Sequence, residues 1–110
     1  MKIKVRKGIH FIEEEDVCAL ISYRSETTET TKIILKNEEI IECSKRVGQI
    51  YESMEDKNIL TQLSRAIYLN IKEIKFLNSV DNEILFKNNV KLHIGRLAKT
   101  ELKKILGSEE

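Results

Sequence analysis

Two arginines stand where a planar guanidinium could meet an anion. Arg65 interrupts the apolar rhythm of QLSRAIYLNIKEIKFL (62–77), and Arg96 follows Gly95 in KLHIGRLAK, where a strand-like segment gives way to a helix-like one. The guanidinium fork engages two acceptors at once, so either residue could clamp a phosphate or pair with O6 and N7 of a guanine. A junction between elements lets such a side chain project past the edge of a sheet. Taken singly, each arginine reads as an ordinary surface residue; their recurrence at two junctions makes the pair informative.

Other chemistry is thin. No HExxH, CxxC, phosphate-binding glycine loop or GxSxG occurs. His10 and His93 both fall in strand-like segments and read as structural or surface residues. Glu13–Asp16 reads as a solvated acidic turn, because a calcium loop would need regularly spaced oxygens and a glycine. Cys18 and Cys43 lie in apolar surroundings, too far apart in sequence for a redox or zinc pair, and read as reduced and buried. Three phenylalanines, three tyrosines and no tryptophan leave little for stacking unpaired bases. An enzyme is therefore not expected, nor a cofactor, a metal or a small-molecule substrate.

The chain of 110 residues is 41% hydrophobic and 34% charged, which fits one domain, residues 1–110, with one modest core. No apolar run approaches the roughly 20 residues of a membrane helix, and MKIKVRKGIHFIEEED has no apolar stretch after its basic start. No membrane association is expected, and a cytoplasmic location is. The net charge is only +1, yet it is unevenly spread. Residues 1–7 carry Lys2, Lys4, Arg6 and Lys7; residues 8–56 hold 5 basic and 12 acidic side chains; residues 57–107 hold 10 basic and 4 acidic ones. Such polarisation can present a basic face to an anion despite a near-neutral total.

The elements that must position the arginines are mostly short strands. KIKVR alternates, and GIHFI follows. DVCALISY is continuously apolar, as a strand covered on both faces would be. TKIILK and EIIEC flank Asn37-Glu38, and EILFK and VKLHI flank Asn88-Asn89, two hairpin candidates in which asparagine tolerates left-handed angles. AIYLNIKEIKFL sets Ile67, Leu69 and Ile71 opposite Tyr68, with a bulge or bend near Glu73. Helical spacing appears in SKRVGQIYESMED, with Ser44 as its expected cap, and in RLAKTELKKILG, where Ala98, Leu102, Ile105 and Leu106 share a face. This predicts a mainly β fold of about eight short strands and two short helices.

The order of these elements resembles the LytTR family of bacterial DNA-binding domains. That family's central pattern is an aromatic, then approximately R-x-H-R-S-y-i-V-N, a hairpin, and p-x-S-R before the last helix. LTQLSRAIYLN (60–70) matches it with Leu60 in the aromatic place, Arg65 as the arginine and Asn70 as the asparagine; LHIGRLAKTELKKIL matches the close, with Arg96. Ser64 replaces the usual histidine, Ala66 the serine, Gln62 a frequent arginine and Gly95 the closing serine. The resemblance spans roughly residues 9–106. It implies an elongated, mainly β domain of short, mostly antiparallel strands that binds double-stranded DNA sequence-specifically as a transcription regulator, its loops entering successive major grooves. Arg65, Ser64 and Arg96 would make contacts there. The polar loop 24–31 would supply Arg24, Thr27, Thr28 and Thr30, with Glu26 and Glu29 repelling phosphate or accepting from cytosine. Lys99, with Lys72, Lys75 and Lys91, would meet phosphates, and two copies would occupy repeated half-sites. The alternative is a protein-interaction module that keeps this fold without binding DNA.

Overall fold

The computed structural model describes residues 1–24 and 27–107. Among the described residues, ten strands and two α-helices follow one another: β1 (Lys2–Val5), β2 (Gly8–Phe11), β3 (Val17–Arg24), β4 (Glu29–Leu35), β5 (Ile40–Cys43), α1 (Val47–Ser53), β6 (Thr61–Gln62), β7 (Ile67–Leu69), β8 (Ile74–Asn78), β9 (Glu83–Phe86), β10 (Lys91–His93) and α2 (Arg96–Gly107). All strand pairs are antiparallel. They form a two-stranded sheet β1-β2, a five-stranded sheet ordered β5-β4-β3-β7-β6, and a three-stranded sheet ordered β10-β9-β8. The molecule is elongated, with extents of 44 × 31 × 24 Å.

The five-stranded sheet is covered on both faces, which is why β3 at its centre is apolar without alternation. On one face Val17, Leu20, Ile33, Leu35, Ile41 and Tyr68 pack with Ile3 and Ile12 of the N-terminal hairpin and with Val47, Ile50 and Met54 of the α1 region. On the other, Cys18, Ala19, Ile34, Leu63 and Leu69 pack with Ile84 and Phe86 of β9, Ile94, and Ala98 and Leu102 of α2. A register shift between Val17 and Ala19 lets Cys18 and Ala19 face the same way, where strict alternation would have parted them. The expected split of Ile67 and Leu69 from Tyr68 holds, and Tyr68 stacks on Tyr51 with ring centroids 4.5 Å apart.

Several local expectations need correction. The bend expected near Glu73 is present, but it divides the stretch 67–77 into two strands of different sheets. The chain leaves the first sheet at Asn70, makes a single 3-10 turn over Ile71–Glu73, and enters the second sheet as β8, with a further register shift between Ile74 and Phe76. Asn70 makes this exit possible: it is buried, its backbone N–H donates to Cys18 O at 2.8 Å and its Nδ2 to Val17 O at 3.1 Å, so the side chain extends the ladder where the backbone turns away. Ser44 does not cap α1. The helix starts two residues later with Arg46 in the cap position, where its N–H meets Gln49 Oε1, and Lys45 O accepts from the hydroxyl of Thr31 instead. In the first hairpin the left-handed residue is Glu38 (φ 73°), while Asn37 accepts from Glu39 N; in the second it is Asn89 (φ 70°), as expected. The acidic turn at 13–16 is more than solvated, because Glu14 accepts from the backbone N–H of Glu55 and Asp56 and ties the turn to the segment after α1.

Candidate nucleic-acid interface

The turn bearing Arg65 is built by its own backbone. Leu63 N and Ser64 N both donate to Ile67 O, and Ala66 N donates to Ser64 Oγ at 3.2 Å. Gln62 Nε2 adds a bond to Ser64 O. The turn is then fastened to the central strand, since Ser22 N donates to Ala66 O at 2.7 Å. Arg65 is left exposed at its tip, with no hydrogen bond or ion pair to another described residue. Ser64 is half-buried, with its hydroxyl oxygen shaping the turn.

Beside it lies the end of the β3–β4 hairpin. Tyr23 pairs with Thr30 and Arg24 with Glu29, so exposed Arg24 and Thr28 fall at the same end of the five-stranded sheet as Arg65. Thr30 is partly engaged, its hydroxyl 3.4 Å from both Tyr23 O and Glu42 Oε1. Glu29 accepts from the Ser22 hydroxyl at 2.9 Å, and Lys32 Nζ sits 4.3 Å from the Tyr23 ring centroid. Glu26, assigned to this loop, lies outside the described residues. A cleft of about 950 Å³ beside Thr30 is lined by Lys4, Val5, Arg6 and Glu42–Lys45. Lys4, Arg6 and Lys45 thus join this end of the sheet as cations that residue spacing did not assign to the site. The basic run at residues 1–7 was visible in the sequence, but its place depends on the packing of β1 against β5.

Arg96 belongs to a second cluster, on the three-stranded sheet. It is the first residue of α2 and is exposed, again without an ion pair among the described residues. The β8–β9 turn is held against this junction by Ile94 N donating to Asn82 O at 2.8 Å and Lys99 Nζ donating to Ser79 O at 3.1 Å. Lys99 is therefore half-buried and engaged with the turn, whereas Lys72, Lys75 and Lys91 are exposed. Gly95 has open space around its Cα and no left-handed backbone, so the fold does not require glycine there.

The structure thus gathers Arg24, Thr28, Thr30, Ser64 and Arg65 at one sheet end, and Arg96 with Lys99 at another place. Arg65 is held on a braced turn and Arg96 at the first position of α2, both exposed and unpaired among the described residues, an arrangement suited to a charged acceptor surface. No protein-family model matches the sequence, and neither does any curated protein. Among solved structures, a LytTr DNA-binding domain from Bacillus cereus is similar with a TM-score of 0.69 over 97% of this chain and 95% of that one, at 15% sequence identity. The chain has the fold of a LytTR domain.

Proposed function

We propose that the chain binds double-stranded DNA sequence-specifically and acts as a transcription regulator, placing the 63–66 turn and the Gly95-Arg96 junction in successive major grooves. The observation that carries this reading is Arg65: an exposed guanidinium, unpaired among the described residues, on a turn braced by five hydrogen bonds, at the same end of the sheet as Arg24, with Lys4, Arg6 and Lys45 toward the other edge of that end. The fold it shares with a DNA-binding domain supports the same reading. Arg65 and Arg96 read bases or pin groove edges, and the surrounding lysines and threonines meet phosphates.

The test is binding of fluorescent duplexes, enriched from a random pool, by the wild-type chain and by Arg65→Ala, Arg96→Ala and the double variant. A bidentate arginine–guanine pair discriminates by about 1–3 kcal/mol, so each single change should weaken the enriched site roughly 5- to 150-fold. The slope of log K against log salt should also become shallower by about 1 for each phosphate that is no longer neutralised. Thermal unfolding should be unchanged, because neither side chain bonds to another described residue. Full affinity in the double variant, or no duplex enriched by the wild type, ends the proposal.

A further inference from the structure

We propose that β2 is a self-pairing edge through which two copies of the chain join antiparallel, giving one four-stranded sheet ordered β1-β2-β2-β1. This does not depend on DNA binding. β2 has β1 as its one strand partner among the described residues, so its other edge is open. Met1 and Ile12 exchange both backbone hydrogen bonds, at 2.7 and 2.8 Å. Bonded and non-bonded pairs alternate along an antiparallel ladder, which makes Ile3–His10 and Val5–Gly8 the next bonded pairs. The N–H and C=O groups of Ile9 and Phe11 therefore point away from β1, toward the open edge.

Open edges are ordinarily guarded by charge, proline or a bulge. Gly8–Phe11 carries none of these: Lys2 and Lys4 sit on β1, with Lys2 Nζ 5.9 Å from the Phe11 ring centroid, and Lys7 lies in the turn just before β2. On the outward face Ile9 is 53% and Phe11 76% exposed, a large apolar surface for two neighbouring positions of one strand. Alongside lies an open groove of about 520 Å³, bounded by His10–Glu13 and by Leu35–Asn37 with Glu39.

The sequence of the edge argues that its partner strand is another β2. Antiparallel pairing centred on His10 sets Ile9 against Phe11 of the second copy and Phe11 against its Ile9. These are the residues whose backbone groups point outward, so the two bonded pairs supply about four hydrogen bonds. Aromatic and β-branched side chains then meet across the strands on the outer face, a favourable cross-strand pair. The same register places Lys7 opposite Glu13 of the second copy at each end, opposite charges in both cases, with no charge between. Shifting the centre by one residue keeps the bonding pattern but sets either Phe11 against Lys7 or Ile9 against Glu13.

Sedimentation equilibrium of the full chain, up to about 1 mM, reads the association directly. The apparent mass should climb from 12.8 kDa toward twice that value, and Phe11→Lys should abolish the climb. Phe11 is exposed, so that variant should unfold at the wild-type temperature; Ile9→Lys serves if it does not. Register is read by mild oxidation of His10→Cys. Its non-bonded self-pair brings two Cβ atoms within about 5 Å, so it should crosslink many times faster than Lys2→Cys. A mass constant at 12.8 kDa, association undiminished by both lysine variants, or equal crosslinking of His10→Cys and Lys2→Cys overturns the proposal.

Discussion

Replacing Asn70 by alanine should cost stability and leave the arginine turns unaltered. Asn70 is 6% exposed, and its Nδ2 donates at 3.1 Å to the carbonyl of Val17, a residue with no exposure at all. The substitution removes that donor and admits no water to replace it. A buried acceptor deprived of its partner costs about 1–3 kcal/mol. For a domain of this length that corresponds to a fall in Tm of roughly 5–15 °C. Asn70→Asp should be worse than alanine at neutral pH, because it sets a carboxylate against a carbonyl oxygen. Burial and that repulsion would raise the new carboxyl's folded pKa, so the penalty should shrink as pH falls and the group protonates. Calorimetry or urea melts of both variants at pH 7 and pH 5 make the measurement. A loss under about 0.5 kcal/mol for Asn70→Ala, or an aspartate variant as stable as the alanine one at pH 7, would show that the side chain does not hold the strand exit.

Two further outcomes follow from titratable groups. Burial pushes the Glu14 carboxyl up, but the backbone N–H groups of Glu55 and Asp56, helped by the N-terminal ammonium and Lys57, bring it below its ordinary value of 4.5. Its contribution is therefore present above about pH 4.5 and lost as pH falls through the lower folded value, so Glu14→Gln should flatten the acid limb of stability against pH and cost no more than about 1 kcal/mol at pH 7, given solvent screening. Burial pushes the Cys18 thiol up to about 11 and raises that of Cys43, and the two belong to cores on opposite faces of the sheet. At pH 8 a thiol alkylator should modify neither in the native chain and both in denaturant, as mass spectrometry would read; a disulfide between them in the native chain would contradict this placement.

What could be read from the sequence was whatever local period records. Tyr68 against Ile67 and Leu69, the unbroken apolar run of β3, both helices and the hairpin at Asn88-Asn89 follow from alternation, helical spacing and turn chemistry. What could not be read depends on contacts distant in sequence. The break after Leu69 arises because Asn70 bonds to Val17, 53 residues away, and Glu14 reaches backbone 41 residues on. The two-residue β6 is too short to carry a period. With no proline and four glycines, the chain also lacks the residues that ordinarily mark such boundaries. At the candidate site the arginines stood out by type and position. The cations around Thr30 did not, since Lys4 and Arg6 reach it only through the packing of the N-terminal hairpin and Lys45 only through the pairing of β5 with β4.

The structure also separates, within LTQLSRAIYLN, residues that build from the residue left free. Leu60 and Leu63 are buried in opposite cores, and Asn70 carries the strand exit. Ser64 gives its hydroxyl oxygen to the turn, and Ala66 contributes its backbone N–H to Ser64 and its carbonyl to Ser22. The departures from the family pattern at 64 and 66 are therefore compatible with the turn, because the bonds that shape it come from a short hydroxyl and from main chain. Gly95 likewise preserves the junction before α2, where no backbone constraint calls for a particular residue. Beside the pattern it resembles, the chain presents less polar reach at 64, 66 and 95. If this turn reads DNA, discrimination at it falls on Arg65 with little help from its neighbours. The double arginine substitution is thus a sharper test in this chain than in a domain whose turn carries several polar side chains.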